Sequence, residues 1–566
     1  MNICHVVKYF ADLRKTSFLQ VLELVDLEGN RLNNVSQAFS GLRHLRYLYL
    51  ANNNISDLPA EVFGPFCQSL RALSVSGNII RHFPREGLRT CTQLSHLNIG
   101  YNQISEIKVD DLVGWAENLD TLILRNNRLK SLDRRLFRGS PKLRELSLSF
   151  NEFERIDSHA FDDIGKALES LEISFGLKSP EFPEAAIKPL QKLIWLALDN
   201  NEIEQISETS LYNQGELQYL NLEYNRLTSL PHNTLHQNVH KQLLDVRLSY
   251  NLVAEIKKGT FSALARVQTI ALTGNRIARI EEGSFRHMPQ LATLMLSHNR
   301  LDTIESRSFA FLDNLQKLEL QHNRLAEFSL EAFVNCTRYP MHPLTLNVSH
   351  NRIVHLNPPP IGAIFFRTPL IGYLDASSNR LRRIPVPFLE HLAPALRTLD
   401  LSRNRIVTVD RLGQLEMLQK LIISRNHVMD LGKTAFHSLT SLQVSKRNRR
   451  VHTETRSTWY VLSQILDLSY NRIEAMQFGQ FAGLSGLRVV DLSHNNLRSL
   501  ARDAFQSTAL ESIDLSHNAF VAIPSSGMNR LFFHIFNETP CFRLYLPDGL
   551  STLSLFSITS CDNDLI

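Results

Sequence analysis

The chain has 566 residues, a formal net charge of +5, 43% hydrophobic residues and six cysteines. A charge this small for this length argues against a dedicated nucleic-acid surface, and six cysteines give little support to a disulfide scaffold. The hydrophobic fraction is ordinary for a folded protein, so composition alone leaves the fold class open.

The N-terminal segment, residues 1–21, is polar and irregular. Its first 19 residues lack the apolar stretch that a signal peptide requires. No stretch of the chain approaches the 18 or so apolar residues of a transmembrane helix. We therefore expect the chain to be a fragment of a longer protein or the product of a gene model with missing ends.

From residue 22 one motif, L-x-x-L-x-L-x-x-N-x-L, recurs about every 24 residues. This period is the leucine-rich repeat signature, and about 21 repeats can be counted. The asparagines that close the motif are Asn30, Asn53, Asn78, Asn102, Asn127, Asn151, Asn201, Asn225, Asn251, Asn275, Asn299, Asn323, Asn351, Asn379, Asn404, Asn426, Asn471, Asn495 and Asn518.

The motif predicts an α/β solenoid, a leucine-rich repeat horseshoe with one long parallel β-sheet on its concave face. In L-x-L the side chains alternate, so the leucines point inward and the x positions outward. The Asn amide can both donate to and accept from backbone groups that lack strand partners. We expect the solenoid over residues 22–530 and an irregular C-terminal tail over residues 531–566.

A second regular feature is one phenylalanine on the far side of many repeats. These rings predict an aromatic spine that fills the layer opposite the sheet. They are Phe39, Phe63, Phe137, Phe161, Phe261, Phe285, Phe309, Phe333, Phe436, Phe481 and Phe505.

Two units depart from the motif. One reads LESLEISFGL, with Gly176 in place of the Asn, and prolines follow it, which favours a short bulge over residues 170–183. The other reads LTSLQVSKRN around Arg447 and leads into an atypical basic insert, residues 445–463. Because basic and aromatic residues do not alternate repeatedly there, the insert is typical of a solvated loop rather than of a nucleic-acid patch.

Two cysteines stand three residues before the first motif leucine of adjacent repeats. Cys67 and Cys91 should therefore stack on neighbouring rungs. Neighbouring rungs are about 4.8 Å apart, which is within the range of Cα–Cα distances found in disulfides. Parallel Cα–Cβ bonds, however, would hold the two sulfur atoms slightly too far apart. A disulfide and two buried thiols are both open at this point.

Five N-x-[ST] sequons favour a secretory route. They begin at Asn34, Asn54, Asn335, Asn347 and Asn537. Asn347 is the outward residue between Leu346 and Val348, so a glycan there would cover the sheet locally.

The sequence contains none of the common catalytic motifs, and no cofactor is predicted. His298, His322 and His350 precede successive motif asparagines and should form a row, but rungs about 4.8 Å apart are too distant for a comfortable shared zinc. An outward row of aspartates is better explained by repetition of the motif than by a metal site. It consists of Asp375, Asp400, Asp467, Asp491 and Asp514.

One stretch of five consecutive units carries aromatic residues at outward positions. Exposed apolar patches commonly mark interaction sites, and Trp and Tyr often dominate interfaces. The alternative is that rings before the motif Asn are frequent in this repeat and simply lean over the next rung. The predicted partner-binding residues are Phe150, Phe175, Trp195, Tyr219, Tyr224 and Tyr250.

The chain resembles the chaoptin-like leucine-rich repeat cell-surface adhesion proteins. The resemblance rests on LESLEISFGLKSPEFPEAAIKPLQKLIWLALDNNEI and on the long array of L-x-L-S-x-N-x-[IL] units. It implies a glycosylated adhesion protein on the extracellular face of the plasma membrane. Its partner would be a copy of itself on an apposed cell, and a lipid anchor would attach it to the membrane. The rival functions are a Toll-type ligand-binding receptor ectodomain and an intracellular scaffold.

Overall fold

The structure is a computed structural model. It describes residues 21–36, 38–39, 41–261, 263–333, 342–359, 369–437, 439, 465–482, 484–501, 504–505 and 508–521, and the strand Arg543–Tyr545. The chain divides into two compact units. The first comprises residues 1–276 and 284–290, and the second comprises residues 277–283 and 291–566.

In the first unit, each repeat contributes one short strand to a parallel sheet. The strands are Leu24–Asp26, Tyr47–Tyr49, Ala72–Ser74, His96–Asn98, Thr121–Ile123, Glu145–Ser147, Ser170–Glu172, Trp195–Ala197, Tyr219–Asn221, Asp245–Arg247 and Thr269–Ala271.

The second unit is built in the same way. Its sheet strands are Thr293–Met295, Lys317–Glu319, Leu344–Asn347, Ile371–Asp375, Thr398–Asp400, Lys420–Ile422, Ile465–Asp467, Val489–Asp491, Ser512–Asp514 and Arg543–Tyr545. The last strand pairs with Ser512–Asp514 and lies inside the stretch that we expected to be irregular.

Strand pairing is parallel, and equivalent motif positions lie side by side. For example, Trp195 pairs with Tyr219, and the next residue of each strand, Leu196, pairs with Leu220. The register shifts between Leu344 and Thr345, where their strand pairs with Ile371–Asp375. In the strands whose burial is described, the central motif position holds a buried Leu, Ile or Val, and its two neighbours lie on the opposite face, as the alternation of a strand requires. The predicted fold class, an α/β leucine-rich repeat solenoid with a parallel sheet, is confirmed within each unit.

Away from the sheets, most of the described chain forms turns. Three short α-helices occur among the described residues: Arg85–Leu88, Glu184–Ile187 and Val386–Leu392. The 3-10 helices are Ala60–Val62, Gly64–Gln68, Ala116–Asn118, Asp162–Ile164 and Leu330–Ala332. Further two- and three-residue strands are Ser131–Leu132, Arg155–Ile156, Glu255–Ile256, Arg279–Ile280, Glu327–Ser329, His355–Asn357, Thr408–Val409 and Asp430–Leu431.

The motif asparagines hold neighbouring repeats together, as predicted. Asn78 accepts a 2.9 Å hydrogen bond from the backbone N–H of Ile55 in the preceding repeat. Its amide nitrogen donates to the carbonyl oxygens of Leu50 and Val75, both at 3.0 Å. Each buried amide therefore satisfies backbone groups that have no strand partner, which is why the residue recurs.

The unit without its asparagine is completed by the next repeat. Asn201 accepts from the backbone N–H groups of both Gly176 and Leu177, at 2.8 and 2.7 Å. Isolated bridges Phe153–Leu177 and Glu181–Gln205 continue the pairing beside the expected bulge. The absence of one Asn is thus compensated locally.

The repeats on either side of the second irregular unit are in direct contact. Leu421 pairs with Leu466, and the side-chain amide of Asn471 donates to the carbonyl oxygen of Ile423. The sequence around Arg447 and the insert 445–463 lie outside the described residues.

The buried phenylalanines stack between repeats on the side opposite the sheet. Phe137 and Phe161 have ring centroids 5.7 Å apart, and Phe481 lies 5.2 Å from both Phe436 and Phe505. All five side chains are buried. These contacts form the aromatic layer predicted from the sequence.

Candidate protein-binding surface

The residue immediately before each motif asparagine has an unusual backbone conformation. Its φ is positive in every repeat, for example +57° at Phe150, +52° at Tyr224 and +55° at His298. Positive φ is uncommon for residues with a side chain. The chain turns out of the strand here, and this turn brings the side chain toward the equivalent position of the next repeat.

Four of the six predicted binding residues occupy this position and form two stacked pairs. The rings of Phe150 and Phe175 lie 4.6 Å apart with an interplanar angle of 12°. Those of Tyr224 and Tyr250 lie 4.4 Å apart at 10°. All four side chains remain exposed, between 40% and 49% of their area.

Trp195 and Tyr219 occupy the first residue of adjacent strands. Their ring centroids lie 5.1 Å apart at 38°, and both side chains are half-buried. The indole nitrogen of Trp195 is buried and has no hydrogen-bond partner among the described residues.

The six residues therefore form two stacked pairs and one tilted pair in one unit. Asn200 separates the Phe pair from the Tyr pair at the position before the motif Asn. The predicted alternative, rings leaning over the next rung, also holds, because a Cβ added at Gly274 would lie 2.6 Å from Tyr250 Cδ1. We call the six residues the aromatic patch.

Sequence reasoning missed one neighbour of this patch. The guanidinium of Arg125 lies 5.3 Å from the Tyr101 ring centroid and 5.6 Å from that of Phe150. Its Nε is buried without a partner among the described residues. The signal was present, since Tyr101 also precedes a motif asparagine. A cation therefore flanks the Phe150 end of the aromatic patch.

The predicted histidine row is a stack of rings. The imidazole of His322 lies 4.2 Å from that of His298 and 4.3 Å from that of His350, with nearly parallel planes. Burial, followed by repulsion from the two neighbouring rings, lowers the pKa of His322. Within the described parts of the chain, no three His, Cys, Asp or Glu side chains converge as metal ligands would.

The predicted aspartate row caps the backbone where the strands end. The carboxylates of Asp400 and Asp491 accept from the backbone N–H of the serine two residues later, at 2.8 and 2.9 Å. Burial raises the pKa of both carboxyls, and adjacent aspartates of the row add to this shift. These hydrogen bonds give the row a structural role.

The two stacked cysteines, Cys67 and Cys91, are joined in a disulfide, with Cα atoms 4.4 Å apart. Of the two alternatives open from the sequence, the structure contains the bridge. It links adjacent repeats of the first unit on the side away from the sheet.

Three of the five sequons begin at described residues. Asn34 and Asn54 are exposed. Asn347 is half-buried in its strand, and its Oδ1 accepts from the N–H and hydroxyl of Ser349 at 3.0 and 2.7 Å. Asn335 and Asn537 lie outside the described residues. Separately, the described helices are all too short or too polar to span a bilayer.

Comparison with known proteins adds family-level information. The family model described as "Leucine rich repeat" matches residues 9–55, 43–104, 117–177, 215–277, 241–301, 265–325, 289–338 and 464–520, which together exceed half of the chain.

Two curated relatives match part of the chain. Toll-like receptor 9 from Homo sapiens is 36% identical over 151 residues, covering 25% of this chain and 14% of the receptor. Podocan-like protein 1 from Mus musculus is 30% identical over 185 residues, covering 31% of each. The chain thus spans less than a third of the length of these relatives.

A solved structure shares the fold. YopM from Yersinia enterocolitica WA-314 aligns over 96% of this chain and 100% of its own, with a TM-score of 0.56 and 19% identity. At that identity the likeness extends to the solenoid architecture alone.

Proposed function

Because the chain belongs to the leucine-rich repeat family, we propose that it is part of a chaoptin-like extracellular protein that mediates homophilic cell adhesion. Its function would be binding rather than catalysis, since leucine-rich repeat solenoids are typically non-catalytic. The partner would be a second copy of the protein on an apposed cell.

The aromatic patch carries this proposal. Two stacked pairs and one tilted pair of rings lie on outward positions within one unit, and four of the six rings are exposed. Contact between the paired rings restricts their orientation before any partner arrives, so less side-chain entropy remains to be lost on binding. Preorganised Trp and Tyr side chains are the residue types that most often dominate interfaces.

Self-binding requires one surface to be complementary to itself. A two-fold interface uses the same patch on both subunits, and an apolar patch meets this requirement because burial of apolar area is non-directional. The proposal therefore accounts for the exposed rings.

The cell-surface assignment is supported by the exposed sequons at Asn34 and Asn54. Glycosidase treatment of the full-length protein from secreting cells should increase its gel mobility. An unchanged mobility together with cytosolic fractionation would favour the scaffold hypothesis. A glycan at Asn347 would cover its own rung of the sheet, so a partner would bind away from this rung.

Bead aggregation tests homophilic binding directly. Beads coated with the chain should aggregate, and Trp195→Thr with Tyr219→Thr should abolish most of the aggregation. Threonine is chosen because Thr121 and Thr269 occupy the same strand position in other repeats. Tyr212→Ala is the matched control, since this tyrosine is 60% exposed but lies outside the sheet.

Circular dichroism should first show that both variants are folded. Undiminished aggregation of the Trp195 and Tyr219 variant would place the adhesive surface elsewhere. If beads coated with the wild-type chain do not aggregate at all, the proposal of homophilic adhesion is wrong.

A receptor ectodomain is the second candidate. Similarity to Toll-like receptor 9 over a quarter of the chain supports it. In that case the aromatic patch would bind a different protein, and wild-type beads would capture that ligand without binding one another.

A further inference from the structure

A column of arginines runs along the second unit. The residue after the motif asparagine is Arg in five successive repeats: Arg300, Arg324, Arg352, Arg380 and Arg405. All five side chains are exposed. None of them forms an ion pair with a described residue of the chain. We call these five residues the arginine column.

One hydrogen bond, repeated five times, fixes the register of this column. The backbone N–H of Arg324 donates to the carbonyl oxygen of Leu301, and that of Arg352 to Leu325, at 2.8 and 2.9 Å. Arg300, Arg380 and Arg405 make the equivalent bond. Since successive rungs are about 4.8 Å apart, the five residues offer one guanidinium per rung along roughly 20 Å.

The exposed positions beside the column add charge of the same sign. Two positions of each repeat flank the column: the residue before the motif Asn and the third residue after it. In the five repeats these positions hold two further arginines, Arg382 and Arg403, and one carboxylate, Asp302. Unpaired like charges on neighbouring rungs repel one another, so binding of an external anion relieves this repulsion. The remaining residues at these positions are His298, His322, His350, Ser378, Ala326, Val354 and Val407.

We propose that the arginine column binds a linear sulfated polysaccharide. Each guanidinium presents a planar fork of N–H donors that can bind an oxyanion through two hydrogen bonds, whereas Lys acts as a point charge. A polymer with charged groups at regular intervals can engage successive rungs at once, and the linked contacts strengthen one another. The binding surface is the edge of the solenoid rather than a pocket.

Two observations favour a polysaccharide over a single-stranded nucleic acid. Single-strand recognition relies on aromatic side chains on which bases stack. No Phe, Tyr or Trp occurs at these positions in the five repeats. Both faces of the His322 ring, and one face each of His298 and His350, are already covered by stacking within the row. In addition, the apolar side chains of Val354 and Val407 are 37% and 43% exposed beside the arginines and can contact the C–H faces of sugar rings.

The adjacent sheet face limits where a polyanion can lie. The last residue of several strands in this unit is acidic, including Glu319, Asp375 and Asp400. These carboxylates repel a polyanion from the sheet. The ligand is therefore confined to the arginine column at the edge.

The test measures binding of a short fluorescent heparin oligosaccharide by anisotropy over a range of salt concentrations. A variant with Arg324→Gln, Arg352→Gln and Arg380→Gln should bind the oligosaccharide at least about tenfold more weakly, because it loses three solvent-exposed charge contacts. The slope of log affinity against log salt should fall by about 2 to 3. Glutamine is chosen because Gln103 follows the motif asparagine in a native repeat.

The matched control removes the same charge from the first unit. Lys142, Lys166 and Lys192 line a surface depression of about 670 Å³, and their triple replacement by Gln should leave binding unchanged. Equal weakening of both triple variants would show a net-charge effect and overturn the proposal. Failure of the wild-type chain to bind the oligosaccharide would also overturn it. So would tighter binding of a labelled single-stranded oligonucleotide.

This experiment is independent of the adhesion test. The arginine column and the aromatic patch lie in different units and share no residues. Loss of aggregation with heparin binding intact, or the reverse, therefore separates the two proposals.

Discussion

The ring nitrogen Nε2 of His240 lies 2.9 Å from the carbonyl oxygen of Leu211 in the preceding repeat. Its Nδ1 accepts a 2.9 Å hydrogen bond from the backbone N–H of His236. Nε2 must therefore carry the proton and donate. The buried neutral ring is fully satisfied, and protonation at Nδ1 would break the bond to His236.

This arrangement predicts a loss of stability in mild acid. Burial lowers the pKa of His240, and the hydrogen bond to the carbonyl oxygen of Leu211 only partly opposes this effect. Below about pH 6.5 the unfolded chain binds a proton that the folded chain does not. The free energy of unfolding therefore falls as the pH drops, until the folded-state pKa is passed.

Urea unfolding followed by tryptophan fluorescence between neutral and mildly acidic pH measures the effect. His240→Gln should reduce the decline in stability, while His232→Gln, at an exposed position, should leave it unchanged. An identical decline in the His240 variant would contradict this account.

Asn275 should be structural. Its Oδ1 accepts from the N–H of Val253 at 3.1 Å, and its Nδ2 donates to Leu248 and Leu272 at 2.9 and 3.1 Å. Asn275→Ala leaves these buried groups unpaired and should cost about 1–3 kcal/mol. Hydrogen exchange should show lower protection at Val253. The exposed Asn54→Ala is the control, and unaltered protection at Val253 would refute the assignment.

Tyr224 tests the positive-φ position. Its φ of +52° disfavours β-branched residues, so Tyr224→Val should be less stable than Tyr224→Asn by about 1–3 kcal/mol. Asn is tolerated here, since Asn200 has a φ of +55° one repeat earlier. At Tyr219, inside a strand, the order should reverse because Val has the higher strand propensity. Thermal unfolding of the four variants measures both stability orders. If Asn is the more stable replacement at both sites, or Val at both, backbone conformation does not set the preference at Tyr224.

Asp491 predicts an opposite pH effect. Burial, with the charges of Asp467 and Asp514, raises the pKa of this carboxyl against the hydrogen bonds from Ser493. The folded state thus favours the protonated acid, and stability rises as the pH falls from neutral through this raised pKa. Asp491→Asn should therefore stabilise the chain at pH 7, and this advantage should disappear near pH 4.

The replacement has a native precedent. Asn221 occupies the same strand position and accepts from the N–H of Glu223 at 3.1 Å, so the capping bond can be retained. Asp245→Asn provides a contrast, because it removes the 3.1 Å ion pair with Arg247 and should slightly destabilise the chain at pH 7. Unfolding curves at the two pH values would show whether the signs differ; a destabilised Asp491 variant at pH 7 would sink the prediction.

Part of the candidate surface was predictable and part was not. Outward placement of Trp195 and Tyr219 follows from the alternation of strand residues. Both side chains are half-buried, and Nε1 of Trp195 is unpaired, because of the residues that lie on the adjacent rung. The same is true of Arg125, whose contact with the Phe150 ring joins residues in two different repeats.

The sequence by itself determined the repeat, the parallel sheet, the buried leucines and the structural asparagines. These features are repeated locally, and each unit has the same chemical requirement, a buried L-x-L strand and an amide for the backbone groups beyond it. The tertiary structure alone decided the disulfide between Cys67 and Cys91, the positive φ before each motif asparagine, and the direct pairing of Leu421 with Leu466. Each of these depends on how one rung lies against the next, and residues about 24 or more positions apart in the chain meet only after the rungs have stacked.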